Sequence, residues 1–249
     1  NPATPSSYGA NASGNSSIAI GRSTQATAMG ATAIGGAQDD SALGAKASGV
    51  YATAIGGLSE ASGAGALALG SNNNGFGARA TGEKAIAVGA AATASGAQSI
   101  VVGVNSSATG TAGIAMGRNV INQGNDAQAI GNSSSVRSHY GTALGTFATV
   151  AGNADRGIAI GNSNQSSTAT TVKVADGIAL GSYSVADKGA GINGYNMTTG
   201  RDNPYAGTSA AFTSGLGALA IGTDQKTRQI TGVAAGNALT DAVNVAQLQ

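Results

Sequence analysis

The run Ile86-Ala87-Val88-Gly89-Ala90-Ala91-Ala92-Thr93-Ala94-Ser95-Gly96 holds the grammar of the whole chain. It ends two short β-prone stretches on glycines seven residues apart. The same spacing links Gly49, Gly56, Gly63, Gly70 and Gly77 in one series. It links Gly82, Gly89, Gly96, Gly103, Gly110, Gly117, Gly124 and Gly131 in another, and Gly145 and Gly152 continue it beyond Ser138. A compact globular core has no use for such a rule. A chain winding in equal turns does, because every turn bends at the same place.

The two halves of the pattern differ. The first reads x-A-I-G, as in Ile18-Ala19-Ile20-Gly21, Thr53-Ala54-Ile55-Gly56, Leu67-Ala68-Leu69-Gly70 and Ile158-Ala159-Ile160-Gly161. The second ends in Ser-Gly or Thr-Gly, as in Ser62-Gly63 and Thr109-Gly110. Their alternation makes the unit about 14 residues long. Short runs bounded by glycine read as strands of roughly three to five residues, two per turn, each stacked on its equivalent in a parallel ladder. Glycine serves where φ is positive or where backbones come close. From Ala10 to Gly222 this predicts on the order of 15 turns and a rod of roughly 70 Å.

Ile18-Ala19-Ile20 is apolar on both faces, the mark of a strand covered on both sides. Ala92-Thr93-Ala94-Ser95 alternates as a half-exposed strand does. One side of the roll therefore faces water and the other faces another subunit. The packing residues expected for the roll or its oligomer are Ile18, Ile20, Ile55, Leu67, Leu69, Ile86, Val88, Ile114, Ile158, Ile160, Ile178, Leu180, Leu219 and Ile221. Period two separates the faces without labelling them.

Composition narrows the function. The 249 residues include 41 glycines, no cysteine and no tryptophan, and only 9% are charged, against about 25% in ordinary domains. Net charge is +1 with no Lys/Arg run, which argues against nucleic acid as a partner. No segment approaches the roughly 20 apolar residues of a membrane helix, and Asn1-Pro2-Ala3-Thr4-Pro5 is no signal peptide, so any membrane anchor is expected outside this chain. One histidine, His139, and no cysteine supply neither a triad nor a zinc site. Asp39-Asp40 and Glu60 read as solvated turn carboxylates rather than a cation site, and the G-G-x-G-x-D repeat of calcium rolls is missing. Segments such as Gly63-Ala64-Gly65-Ala66-Leu67-Ala68 mimic a dinucleotide fingerprint without the long helix it needs. The expectation is no enzyme, no metal and no cofactor. A right-handed β-helix acting on polysaccharide would want longer turns and clustered acids, and an ice-binding roll a regular Thr-x-Thr array.

Two breaks interrupt the rhythm, near 162–177 and 186–215. The second carries Tyr195, Arg201, Tyr205 and Phe212, residue types enriched at binding hot spots, and these are the candidate ligand contacts. After Gly222 the pattern changes to Ile230-Thr231-Gly232-Val233-Ala234-Ala235-Gly236 and Thr240-Asp241-Ala242-Val243-Asn244-Val245-Ala246-Gln247-Leu248. Thr240 is placed to cap a helix with Asp241 in its first turn, and Ala242, Val245 and Leu248 share one face.

Together these motifs resemble the head and neck of the YadA-like trimeric autotransporter adhesins. The repeats carry the likeness over Ile18 to Gly222; the tail carries it through Ile230, Val233, Asp241, Val243, Asn244, Val245 and Leu248. Ser138 and Asn74-Gly75-Phe76-Gly77 depart from the pattern. The resemblance implies an all-β, left-handed parallel β-roll head over 1–222, a neck over 223–239 and a coiled-coil stalk starting at 240–249. It also implies a homotrimer and an outer-membrane β-barrel anchor beyond this chain. The implied partners are host cell-surface or matrix proteins or glycans, bound at the bacterial surface. The alternative function is a stiff spacer that presents some other adhesive domain.

Overall fold

A computed structural model describes residues 9–37, 44–71, 75–196, 201–202 and 211–249. The chain winds as a two-sheeted roll. Strands of three residues, such as Ile86–Val88, Ile100–Val102 and Ile114–Met116, stack in one parallel sheet. Strands of two residues, such as Thr93–Ala94 and Ser107–Ala108, stack in the other. Among the described residues each of these sheets has twelve strands, and the chain alternates between them.

Twelve rungs, rather than the expected fifteen, make a stack on the order of 50 Å at the usual strand spacing. Regular rungs do advance by one unit, with Ile86 on Ile100, Ile100 on Ile114 and Ile114 on Gln128. Elsewhere Thr32 pairs with Thr53, Leu67 with Ile86 and Ile178 with Leu219. These steps are longer than one unit and add no rung among the described residues. The three-residue strands meet the expected length and the two-residue strands fall short of it, because the turns consume most of each unit.

The interior is one small side chain thick. In the rung of Ile86, Ala85, Ala87, Ala92 and Ala94 all point inward and are fully buried. The central residue of each x-A-I strand between the two terminal ones is buried, and its flanking residues face outward. Alanine thus fills a gap that leucine or isoleucine would overfill. Where Val120, Val136, Val150 and Val172 enter, a glycine faces the valine. A Cβ on Gly157 would lie 2.9 Å from Val172 Cγ1 and 3.0 Å from Val150 Cγ1.

The two glycine series have different causes. Gly89, closing an x-A-I-G strand, sits at φ +125°, which a side chain rarely adopts. Gly96, in the Ser-Gly half, needs no such φ, but a Cβ there would collide with the carbonyl of Gly110 in the next turn. Ser138 is admitted because the following turn is longer: Thr142 pairs with Ile158, two residues beyond the regular step.

Most turns also place a non-glycine residue in the left-handed region, among them Gln98, Ala112, Asp126 and Tyr140 at φ 51–58°, with Gly30 and Gly65 at the equivalent corner of two others. That conformation aims the N–H at the previous turn. Gln98 donates to Glu83, Ala112 to Ala97, Asp126 to Thr111 and Tyr140 to Asn125, at 2.7–2.9 Å. The ladder thus runs through the corners as well as the strands and leaves few backbone groups orphaned.

Candidate interaction surfaces

The outward face of the three-residue sheet carries two columns of apolar side chains. Ile18, Leu67, Ile86, Ile114, Ile158, Ile178 and Leu219 stand in one, with Thr32, Thr53, Gln128 and Thr142 among them. Ile20, Ile55, Leu69, Val88, Ile160 and Leu180 stand in the other, and Ile221 continues it. None of these residues reaches the interior. In the single chain they range from half-buried to exposed, with Ile18 at 50% and Leu219 at 60%. A contiguous apolar face of this length marks an interaction surface.

The outward face of the two-residue sheet is polar. Thr93, Ser107, Ser135, Thr149 and Thr171 follow one another with only Ile121 interposed. Nearer the start, Glu60 lies between Lys46 at 3.8 Å and Arg79 at 3.1 Å on adjacent rungs, and Arg79 also covers the Phe76 ring at 5.6 Å. One carboxylate thus bridges two cations on this face.

One corner of the roll bears a side-chain ladder. Asn125 Oδ1 accepts from the Thr111 N–H at 2.9 Å, His139 Nδ1 from the Asn125 N–H at 3.2 Å, and Asp155 Oδ1 from the His139 N–H at 3.0 Å. His139 is therefore a surface acceptor within the turn stack. One rung on, Arg156 and Asp176 form an exposed two-point ion pair at 2.6 and 2.9 Å. The Arg156 hydrogen bond holds the Asp176 carboxyl below the ordinary carboxylate range. Among the described residues no cluster of three His, Asp or Glu forms that could hold a metal.

The two breaks differ in extent. The first is shorter than its expected 162–177. Residues 162–169 leave the roll through a single 3₁₀ turn, Ser166–Thr168, and Thr171–Val172 is already a regular strand. The second folds as a ribbon: Tyr195–Asn196 pairs antiparallel with Arg201–Asp202, and Asn193 bridges Thr213. Tyr195 is 72% exposed. Phe212, half-buried, helps line an open, largely apolar pocket of about 380 Å³ with Lys188, Ile192, Leu216 and Ala218. Tyr205 lies outside the described residues, as do Asn74 and the Asp39-Asp40 pair. The candidate contacts Tyr195 and Arg201 are thus brought into one ribbon, with Phe212 in the adjoining segment.

The tail differs from its expected capping. Thr240 caps no helix. Asn244 does: its side chain accepts from the Gln247 N–H at 3.1 Å, and Gln247 reaches back to the Asn244 N–H at 3.3 Å. The helix is one 3₁₀ turn, Val245–Leu248. Asn244 Nδ2 also donates to the Val233 carbonyl, and Gln247 brackets Gly236 from both sides. Asp241 accepts instead from the N–H groups of Ala238 and Asn237, which keep its carboxyl below the ordinary range. Ile230, Val243, Val245 and Leu248 stay exposed in the single chain.

The YadA head domain repeat matches residues 12–37, 47–73, 75–92, 80–106 and 94–119. The autotransporter adhesin BadA of Bartonella henselae is 51% identical over 74 residues, which are 29% of this chain and 2% of that protein. The autotransporter adhesin EhaG of Escherichia coli O157:H7 is 40% identical over 104 residues, 41% of this chain and 5% of that protein. The chain thus spans only a small part of these relatives. The crystal structure of the collagen-binding domain of Yersinia adhesin YadA superposes with a TM-score of 0.50 at 27% identity, covering 87% of this chain and 84% of that one.

Proposed function

We propose that the chain is the head of a YadA-like, non-enzymatic autotransporter adhesin, in which three copies pack through the x-A-I-G face and bind host matrix or cell-surface ligands by what remains outside. The observation that carries this reading is the contrast between the two sheets. One outward face is a continuous apolar surface across the twelve described rungs, and the other is hydroxyl-rich, with Glu60 bridging Lys46 and Arg79. Burying the first against like faces removes it from water at about 25 cal/mol per Å². It leaves three copies of the second on one rod, so weak single contacts add as avidity.

The superposed Yersinia YadA domain is a collagen-binding domain, and collagen is accordingly the first ligand to try. Tyr195, Arg201, Tyr205 and Phe212 are the proposed contacts outside the regular rungs. The head occupies 1–222, the neck 223–239, and a coiled-coil stalk starts at 240–249. In this reading the trimer stands on the bacterial surface and is held there by an outer-membrane anchor domain.

The test is binding of the chain, trimerised by a short coiled coil fused after Gln249, to immobilised collagen and to a glycan array. Saturable binding that weakens when Tyr195 and Phe212 become alanine supports an adhesive head. Saturable binding unaltered by those changes moves the contacts to the regular rungs. No binding to any surface assigns the chain to the spacer role.

A further inference from the structure

A stack of parallel rungs ends on carbonyls that the next rung would have taken. In the interior the Ile130 carbonyl accepts the N–H of Gly145 at 2.8 Å, and the Asn132 carbonyl accepts that of Phe147 at 2.9 Å. At the C-terminal end the carbonyl equivalent to that of Ile130 belongs to Ile221, and the one equivalent to that of Asn132 belongs to Ser182, one rung earlier. No further rung follows Leu219–Ala220 in its sheet. The chain instead turns tightly at Thr223 and Lys226, whose backbone groups bond each other at 3.0 and 3.1 Å, and comes back across the open end.

We infer that Arg228 is the terminal cap of the roll, its guanidinium standing in for the peptide that a regular turn after Leu219–Ala220 would lay over Gly181 and Ser182, and fixing where the neck leaves the head. Nη2 donates to the Ser182 carbonyl at 2.5 Å. Nη1 donates to the Ile221 carbonyl and, at 3.1 Å, to Ser184 Oγ. The volume matches as well as the bonds. A Cβ on Gly131 would lie 2.6 Å from the Gly145 peptide carbon of the next rung, whereas a Cβ on Gly181 would lie 3.0 Å from Arg228 Cζ. A planar guanidinium thus occupies the slot that a planar peptide fills elsewhere. Lysine carries the same charge without the flat fork that reaches two carbonyls at once.

The role has a mechanical consequence. Any pull on the neck reaches the head through the last rung, and Arg228 ties neck to rung by three charge-assisted bonds across the strand ends. Without it the edge strand Val185–Ala186 would open locally, as poorly covered elements do.

The test compares Arg228→Ala and Arg228→Lys with the unaltered chain by amide hydrogen exchange and by the distance between spin labels on cysteines placed at Ser163 and Thr231. The absence of native cysteine makes the labelling clean. Both variants are expected to exchange about tenfold faster or more at Gly181–Ala186, with Gly131–Val136 unchanged, and to broaden the label distance. The idea is overturned if Arg228→Ala leaves exchange and distance as they were. It is equally overturned if Arg228→Lys behaves as arginine does, since charge alone would then suffice, or if protection is lost evenly along the roll.

Discussion

Gly113 and Asn122 face each other across the interior of one rung. A Cβ on Gly113 would lie 3.3 Å from Asn122 Nδ2, so the missing side chain makes room for the amide. The amide is fully engaged: Nδ2 donates to the carbonyls of Ile114 and Ala127 at 2.9 and 2.7 Å, and Oδ1 accepts from the Gly124 N–H at 3.2 Å. It therefore bridges two rungs in a stack whose other rungs are nearly interchangeable.

Asn122→Ala removes these three bonds from a closed interior, leaving the Ala127 carbonyl only its bond from the Ile114 N–H, and is expected to cost about 2 kcal/mol. Gly113→Ala crowds the amide and is expected to cost about 1 kcal/mol. The double variant rebuilds the Ala85/Ala94 arrangement, so its cost should fall below the sum of the two. Urea unfolding of the four proteins measures the coupling, and strict additivity would refute the complementarity.

Ala112 occupies the left-handed region at φ 52°, where Asn105 and Asn119 sit in other turns. Ala112→Asn should raise stability by a few tenths to about 1 kcal/mol, because asparagine tolerates that conformation better than alanine. A fall in the melting temperature would contradict the turn assignment.

Two carboxyls give the head a mild acid sensitivity. The folded pKa of Asp176 is lowered first by its hydrogen bond from Arg156, and that of Asp241 by the Ala238 and Asn237 N–H groups. A lowered folded pKa stabilises above the unfolded value, and the gain is lost as pH falls from about 4 through the folded value. Both groups are exposed and screened, so the effect is small. Melting temperature against pH from 6 to 2 at low salt should decline less steeply below pH 4 in Asp176→Asn than in the parent chain. Parallel curves would remove Asp176 from the account.

Much of this architecture is legible in the sequence. The turn period and the two strands per turn follow from glycine spacing, although Gly89 and Gly96 obey it for different reasons. The labelling of faces is not legible, because Ala54 and Ile55 are both apolar and only the narrowness of the gap decides that alanine goes inside. The rung number is overestimated because long turns look like repeats from outside. The cap at Asn244 is visible as an Asn followed three residues later by Gln, but Thr240 offers a competing cap just upstream. Arg228 gives no periodic signal; only the ends of the stack reveal its use.

Interior and exterior substitutions should separate cleanly. Ala54→Glu or Ala159→Glu places an unpaired charge in a fully buried slot and is expected to unfold or aggregate the chain, at a cost above about 3 kcal/mol. Circular dichroism and solubility read the outcome. A soluble, β-rich protein of unchanged stability would mean that the face assignment is reversed.

The most direct measurement is the light-scattering mass of the chain beside that of an Ile55→Glu/Ile160→Glu variant, with circular dichroism on both. Three times 23.6 kDa for the parent, and 23.6 kDa with β-structure retained for the variant, are expected if the apolar face joins three copies. A folded monomeric parent, or a variant still three times that mass, would contradict assembly through the x-A-I-G face.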